Sequence, residues 1–520
     1  MSVSDMKISW ESRPGGFVSS ARTPPPILKD GSLFQEFSTT GQFWLPSEPS
    51  RILWGSLKFK PGDGIELTLD GNLLGEAAPH GGADFAAIYG RIFNGSPCTL
   101  FSCTSYADTY FGEEPRFRSN VWADQLVGGA FFPSLEQCML SSIYVRFSHL
   151  DDWFDVPYEI SRPRGNFSES LISFSPDYFD TYLSFGAQAF TLKTFCGRTI
   201  PTHASREGAC WKYFYKLLLV PDCPQPLRWY LDALSHLREC FIFLVGSGVY
   251  TLELEATLPR EQTDAPSEEP HPRFVKIYLA VDVPSVVQIE PHYFSTRYRR
   301  LKDQIAGLLT EWFKRREELL AVIRSYSEIL INDGSYEEAI FLRVVQTLEH
   351  FHGLLFPEET RYFSKEAWKS FLLWLREQFP ESLRNDVLGK PEDFTGLWEL
   401  IVQRISALNK LSFRSRLDQL FRQVPGRELM SIMENPSKLD DAISSFLRSV
   451  EATRNYLTHY TQKQAKGALS GDELQEAICR CWAVLTFWLA RSLGLGDEAS
   501  GGIARAAKRA MFLVSQRSGL

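Results

Sequence analysis

The sequence predicts an α+β protein of several domains, in which a β-rich, sandwich-like domain precedes an all-α helical bundle. Before about residue 260, short alternating or β-branched runs are separated by Gly, Pro, Asn and Asp, as is typical of strands and turns. After Tyr293, apolar residues recur with the 3.6-residue period of helices. The acidic, proline-bearing segment 261–272 (EQTDAPSEEPHP) lies near this change of period and predicts an exposed linker.

The composition is that of a folded chain. Its 520 residues are 44% hydrophobic, 23% charged and 13% aromatic, which excludes disordered, collagen-like and coiled-coil proteins and allows two to four domains. The longest apolar runs fall well short of the roughly 20 residues of a membrane span. The first residues lack the pattern of a secretory signal, so we expect the protein in the cytoplasm, away from the membrane.

Individual strands follow from alternation in the first half. The predicted strands include Ile65 to Leu69, Ile143 to Phe147 and Tyr250 to Leu254, and a strand from Arg273 to Ala280 closes the region. The exception is Leu227 to Val245, where apolar residues are spaced for the buried face of a helix.

Six to eight helices are predicted in the second half, beginning with one long helix over 297–331. Later helices are expected over 336–355, 364–378, 394–409, 412–423, 438–463, 472–493 and 501–515. Two of these starts are assigned to capping boxes, Ser335-x-x-Glu338 and Ser470-x-x-Glu473, whose side chains satisfy free backbone amides.

These patterns divide the chain into five parts. We expect a poorly ordered N-terminal segment (1–35), a β-rich domain (36–260), a linker or exposed loop (261–272), a connecting strand region (273–295) and a helical domain (296–520). Split at residue 285, the first part holds 23 basic and 33 acidic residues and the second 32 and 30, so their net charges are −10 and +2. The acidic first part is a poor candidate for general nucleic-acid binding, which depends on Lys and Arg.

Familiar catalytic and metal motifs are missing. The sequence has no phosphate-binding Gly-rich loop ending in Lys-Ser/Thr, no His-Glu-x-x-His and no Gly-x-Ser-x-Gly. Its nine cysteines show no metal-knuckle spacing and are expected to be reduced. We therefore predict no metal site and no cofactor.

One hexapeptide, Arg454 to His459 (RNYLTH), brings together a cation, an amide and an imidazole on a predicted helix. An imidazole with a pKa near 6.5 can move protons, and a guanidinium can stabilise charge on phosphorus, which suits metal-independent RNA cleavage by the ribose 2′-hydroxyl. At about 100° per residue, Asn455 and His459 share a face, whereas Arg454 must reach around or act across an interface.

The spacing alone does not decide between catalysis and a buried polar pair that braces the bundle. The same Arg-to-His separation occurs at Arg198 and His203, where Pro201 interrupts any helix and no Asn follows the Arg. We interpret that second match as a coincidence.

The helical half resembles the HEPN ribonuclease superfamily, in particular the Apea-like HEPN domains of bacterial anti-phage proteins. Three stretches carry the resemblance: FLRVVQTLEHF (341–351), continuing to His352, SFRSRLDQLF (412–421) and VEATRNYLTH (450–459). It implies that 296–520 is a HEPN-like RNA endonuclease acting in abortive infection, with Arg454, Asn455 and His459 as catalytic residues.

The resemblance also implies a supporting residue and partners. Glu349 would orient Arg454, although a solvent-side glutamate is an equal alternative, and for Gln346 and His352 packing is the simpler interpretation. HEPN modules usually dimerise, so a homodimer through the helical domain is expected. The implied partners are an RNA substrate, with tRNA as one candidate, and a phage-derived trigger.

The first half resembles the β-rich domain that precedes the nuclease module in Apea proteins, which would make 36–260 a sensor or regulatory domain. The resemblance rests on GQFWLP (41–46), WGSL (54–57), IELTLDG (65–71) and LDDW (150–153). Trp44, Trp54 and Trp153 in these motifs are predicted to be core residues. The alternatives are a HEPN-like bundle that binds RNA or protein without cleaving it, and a first half that supplies the main activity.

Overall fold

The chain forms two compact units, Met1–Lys314 and Arg315–Leu520, in a computed structural model. The structure describes residues 33–75, 82–110, 116–155, 158–161, 171–174, 176–199, 212–259, 273–280, 289–331, 336–378, 399–400, 402, 405, 409–459 and 467–517. Most of the predicted N-terminal segment and the whole predicted linker 261–272 lie outside these residues. The predicted domain limits, with a helical domain from residue 296, remain predictions.

The first unit consists mainly of strands. They are β1 (Phe37–Trp44), β2 (Leu53–Lys60), β3 (Gly64–Leu69), β4 (Gly82–Ile92), β5 (Pro97–Tyr110), β6 (Arg116–Gly128), β7 (Met139–Leu140), β8 (Ser142–Phe147), β9 (Tyr158–Ser161), β10 (Leu171–Phe174), β11 (Asp180–Phe185), β12 (Gln188–Thr199), β13 (Lys212–Pro221), β14 (Gln225–Pro226), β15 (Thr251–Thr257) and β16 (Phe274–Leu279). Its helices are α1 (Leu150–Phe154), α2 (Leu227–Val245), α3 (Tyr298–Leu301) and α4 (Ile305–Lys314).

Twelve of the strands form one sheet, part of which closes on itself. Strands β1, β2, β3, β6, β5 and β4 pair antiparallel in that order, and β4 pairs back to β1. The remaining strands continue from β6 through β16, β15, β8, β13 and β12 to β11. Gly41 lies where β1 meets β4, and a Cβ there would be 2.4 Å from the carbonyl oxygen of Arg91. Closure of the ring therefore needs a residue without a side chain at this position.

Alternation along the strands fills the interior, as β2 illustrates. Leu57 and Phe59 are each 1% exposed, whereas Lys58 and Lys60 between and beyond them face out. Trp54 has the parity of the lysines and is 58% exposed, so the prediction that it is a core residue is wrong. Trp153 is fully buried, as predicted, and Trp44 is half-buried.

Helix α2 has the predicted bounds, but the long helix predicted over 297–331 is wrong. It is divided into α3, α4 and a separate helix from Arg316, and α4 belongs to the strand-rich unit. There Trp312 Nε1 donates to the carbonyl oxygen of His236 (3.1 Å), and His236 Nε2 donates to that of Trp312 (3.2 Å). These reciprocal bonds attach α4 to α2.

The second unit is helical over its described residues. Its helices are α5 (Arg316–Ile331), α6 (Glu337–Leu355), α7 (Lys365–Glu377), α8 (Phe413–Arg422), α9 (Gly426–Ile432), α10 (Leu439–His459), α11 (Asp472–Ser492) and α12 (Asp497–Arg517). Helix α9 was not predicted, and most of the helix predicted over 394–409 lies outside the described residues.

The core of this unit is formed where α5, α6 and α11 pack together. The buried rings of Tyr326 and Trp482 stack with centroids 4.1 Å apart, and the Tyr326 hydroxyl bonds to Thr486 (3.2 Å). The predicted capping box at Ser470 is wrong: α11 starts after Gly471, whose φ of 52° favours glycine, without a side-chain cap. Ser335 lies outside the described residues.

The predicted fold class, an α+β chain in which a β-rich domain precedes an all-α helical region, is confirmed by this division. The eight cysteines in the described residues are free thiols, as predicted. Among the helices that the structure describes, none combines the length and apolar character that a membrane crossing requires.

Candidate active site

Two helices of the second unit carry the predicted site residues, and a third helix borders them. Glu349 lies on α6, whereas Arg454, Asn455 and His459 lie in the last turns of α10. The first turn of α8 forms a third side of the site. Ser412 is the N-cap of this helix: it accepts a hydrogen bond from the Ser415 amide (3.1 Å) and so fixes where the helix starts.

Arg454 is the centre of the arrangement. Its guanidinium stacks over the ring of Phe413, with Cζ 5.3 Å from the centroid, and Nη2 is 4.0 Å from a carboxylate oxygen of Glu349. Nη1 donates to Oδ1 of Asn455 (3.3 Å). The side chain is 32% exposed, so it is held on two sides and still reaches solvent.

Glu349 does not serve Arg454 alone. Its other carboxylate oxygen accepts a hydrogen bond from Nη1 of Arg416 at 3.3 Å, a shorter contact than the one to Arg454. Arg416 also donates through Nε to the Leu411 carbonyl oxygen (3.1 Å), and its side chain is 18% exposed. Arg416 lies within one of the stretches that resemble HEPN domains, but it is not among the predicted site residues, because no local pattern shows that it meets Glu349, which is 67 positions earlier.

Asn455 and His459 lie one turn apart on the same face of α10, as the sequence predicts. The Arg454 guanidinium reaches round toward that face through its bond to Asn455. The His459 side chain is exposed, and within the described residues its imidazole makes no hydrogen bond or ion pair. The imidazole is therefore accessible, and neither it nor Arg454 is sealed in the core.

A buried hydroxyl fixes α10 below the site. Thr453 is fully buried; its Oγ1 donates to the Ser449 carbonyl oxygen (2.7 Å) and accepts from the amide of Leu469 (2.9 Å). The second bond ties the chain that follows α10 back to the helix, one residue before Arg454. The backbone that carries the catalytic candidates is thus anchored from its buried side.

His352 has a structural environment. It is fully buried, and Nε2 donates to Oε1 of Gln419 (2.8 Å), whose amide in turn donates to Glu359. Burial lowers the pKa of His352, which outweighs the opposite effect of the bond to Gln419. Gln346 is exposed. The structure thus separates a neutral, buried His352 from the exposed His459.

A cavity of about 370 Å³ in the first unit is a weaker candidate. Asp151, Asp152 and Asp155 line it together with Arg297. Asp151 is already bonded to Arg146 (2.7 Å), and Asp155 to Arg297 (3.2 Å), so two of its three carboxylates have cationic partners.

Metal ligands are not assembled in the described parts of the chain: no three His, Cys, Asp or Glu side chains are grouped there to hold an ion. The Arg454 site offers a partly exposed guanidinium, and the same helix carries the exposed imidazole of His459.

Comparison with known proteins gives two family matches. Residues 38–312, more than half of the chain, match the ApeA N-terminal domain 1, and residues 342–499 match the Apea-like HEPN domain. The second match spans Glu349, Arg416, Arg454, Asn455 and His459. No curated protein and no solved structure matches the chain. An Apea-like HEPN domain suggests a ribonuclease-type function, since HEPN domains are usually ribonucleases. The chain belongs to the ApeA family, in which an ApeA N-terminal domain precedes an Apea-like HEPN domain.

Proposed function

We propose that the protein is a metal-independent RNA endonuclease that acts in abortive infection against phage, with Arg454, Asn455 and His459 as its catalytic residues. The observation that carries the proposal is the pose of Arg454: it is stacked on Phe413, turned toward Asn455 and still open to solvent. A guanidinium held in this way can bind a phosphate without first being reorganised.

In the proposed reaction, the ribose 2′-oxygen attacks the adjacent phosphorus, and the bond from phosphorus to the 5′-oxygen breaks. His459 accepts the 2′-hydroxyl proton or protonates the leaving 5′-oxygen. Arg454 stabilises the additional negative charge on the phosphorane, and Asn455 orients the phosphate or the imidazole. The products are a 2′,3′-cyclic phosphate and a 5′-hydroxyl end.

The test is cleavage of total RNA by purified protein in excess chelator, followed by mapping of the ends. We expect cyclic phosphate ends from the wild type and loss of cleavage in Arg454→Ala and His459→Ala. Arg422→Ala is a matched control, because Arg422 lies on α8 in ion pairs with Asp418 and Asp440, outside the site. Cleavage that persists in both site variants would place the chemistry elsewhere.

The proposal includes a homodimer through the helical domain. Two observations support it: HEPN domains are often dimeric, and within the described residues no hydrogen bond or ion pair joins Arg454 to His459, so a second copy can supply the complementary group across a shared groove. Light scattering after size exclusion tests this, with a dimer expected at micromolar concentration. Monomer alone, with and without RNA, would count against a shared groove.

We propose further that the strand-rich unit senses infection through a phage-derived trigger or restrains the nuclease. Removing residues 1–314 leaves the second compact unit, and constitutive toxicity in cells would support restraint. A deletion ending at residue 285 is less suitable, because α4 would keep Ile305, Leu308 and Trp312, buried in the first unit, without their packing partners. Loss of every phenotype would instead support a required sensor.

The alternative is a HEPN-like module that binds RNA or protein without cleaving it. In that case purified protein binds RNA and leaves its ends intact. Wild-type binding with no cleavage under any trigger would favour this alternative.

A further inference from the structure

Arg416 is the second cation beside the candidate site, and its contacts give it a defined place. The Glu349 carboxylate lies between two guanidiniums, 3.3 Å from Arg416 and 4.0 Å from Arg454. Only the shorter contact is also a hydrogen bond. Since a charge-assisted hydrogen bond is stronger than an ion pair at 4 Å, Glu349 is bound mainly to Arg416.

The three side chains carry one excess positive charge. Glu349 contributes −1, and Arg416 and Arg454 contribute +1 each. If Glu349 had Arg454 as its only partner, the pair would be neutral, and the guanidinium proposed to bind phosphate would be occupied by a carboxylate.

Arg416 is fixed before any ligand binds. Its Nε is bonded to the Leu411 carbonyl oxygen at the start of α8, and it is less exposed than Arg454, at 18% against 32%. A guanidinium held at both Nε and Nη1 keeps its geometry at a small entropic cost.

We propose that Arg416 is a positioning residue that holds Glu349 away from Arg454, so that Arg454 stays free to bind the scissile phosphate of RNA. The inference rests on the proposed function for its substrate. Arg416 acts through Glu349, and it need not touch the RNA.

The test combines four variants with two measurements. The variants are Arg416→Ala, Glu349→Ala, the double variant Glu349→Ala/Arg416→Ala, and Arg422→Ala as the control on the same helix. The first measurement is the affinity of a fluorescein-labelled 2′-O-methyl RNA pool at several salt concentrations, which does not depend on cleavage. The second is the rate of cleavage of unmodified RNA of the same sequences.

In Arg416→Ala, Glu349 is expected to pair with Arg454. Cleavage should fall about 100-fold, the size of effect that a misplaced catalytic group produces. The slope of log affinity against log salt should fall by about 0.7, which corresponds to one lost phosphate contact.

The double variant is the decisive comparison, because it still lacks Arg416 but also lacks the carboxylate that would capture Arg454. We expect it to recover the salt slope and at least about tenfold of the cleavage lost in Arg416→Ala. A purely structural role for Arg416 predicts no such recovery, since the double variant has lost more contacts. Arg422→Ala should match the wild type.

Three results would overturn the inference. They are an Arg416→Ala protein that binds and cleaves like the wild type, a folded double variant no better than Arg416→Ala, and a wild type that does not bind the RNA pool. Arg416→Gln, which keeps a donor near Leu411, repeats the comparison if Arg416→Ala does not fold. A wild type that binds with the expected pattern of slopes but never cleaves would defeat the proposed nuclease and leave the inference about Arg416 standing.

Discussion

Two groups of charged side chains in the helical unit show how an ion-pair network differs from a site. The balanced cluster comprises Glu434, Glu476, Arg480 and Lys508, where Lys508 Nζ is 3.0 Å from Glu434 and 2.9 Å from Glu476, and Arg480 pairs with both carboxylates. Its charges cancel. In the Glu349 cluster, comprising Glu349, Arg416 and Arg454, two cations share one carboxylate, and the more exposed cation has the longer contact. The excess charge, rather than the number of ion pairs, marks the candidate site.

The largest effect should come from removing the excess cation. Arg454→Ala should lower the rate of RNA cleavage by about 1000-fold, the upper range for removing one group that stabilises the transition state. Because Arg454 is partly exposed and weakly paired, the melting temperature should change little. Cleavage rates and thermal melts of Arg454→Ala and Arg480→Ala together test the contrast, which would break if Arg480→Ala lost as much activity per folded molecule.

Removing Lys508, the central cation of the balanced cluster, should have the opposite effect: it should lower stability and leave cleavage unchanged. In Lys508→Met, Glu434 and Glu476 lose a partner whose side chain is only 15% exposed, and we expect the free energy of unfolding to fall by about 2 kcal/mol. Cleavage by the folded protein should be unchanged. Denaturant unfolding measures the first quantity, and an unchanged midpoint would mean that this cluster does not stabilise the unit.

A smaller effect on stability, which depends on pH, is expected from the buried His352. Burial lowers the pKa of His352 in the folded state, whereas the unfolded chain has an ordinary value near 6.5. As the pH falls below about 6.5, the unfolded state binds a proton that the folded state does not, so stability decreases toward the folded pKa. Denaturant unfolding from pH 7.5 to 5 should show this slope in the wild type and a shallower one in His352→Gln. An equal slope in both proteins would assign the pH dependence to other groups.

The smallest effect is expected at Arg422, which pairs with Asp418 and Asp440 on the surface of α8. Exposed ion pairs contribute little, so Arg422→Ala should cost about 0.5 kcal/mol or less and leave cleavage unchanged. Unfolding and cleavage assays run beside Lys508→Met measure both. If Arg422→Ala lowered the free energy of unfolding as much as Lys508→Met, burial would not determine how much these ion pairs stabilise the unit.

Periodicity in the sequence is sufficient to predict those helices and strands whose apolar residues face a single core. Helix α2 has the predicted bounds, and β3, β8, β15 and β16 overlap the predicted strands. The exposure of Trp54 could also have been predicted, because it shares the parity of Lys58 and Lys60 while Leu53, Leu57 and Phe59 share the other. The aromatic ring of Trp54 favours the core, and its register in the strand overrides that preference.

Contacts between residues that are distant in sequence cannot be predicted from local patterns. Nothing near Arg416 indicates a partner on α6, and the attachment of α4 to the strand-rich unit depends on the pairing of Trp312 with His236, 76 positions earlier. The roles of Arg454, Asn455 and His459 rest on a resemblance and stay a proposal. The structure adds which residues surround Arg454, Asn455 and His459, and the spacing of the motif in the sequence does not predict these contacts.

The closed ring of strands has a consequence for how the first unit can meet other chains. Strands β1 to β6 pair with one another around the ring, and in the described sheet the series that leaves it ends at β11, whose strand partner is β12. Asp180, Tyr182 and Ser184 of β11 are exposed in alternation with buried neighbours. Helix α4 packs against β11, so the strand at which the series ends is bordered by a helix, one of the ways in which proteins keep an edge strand from pairing with another chain.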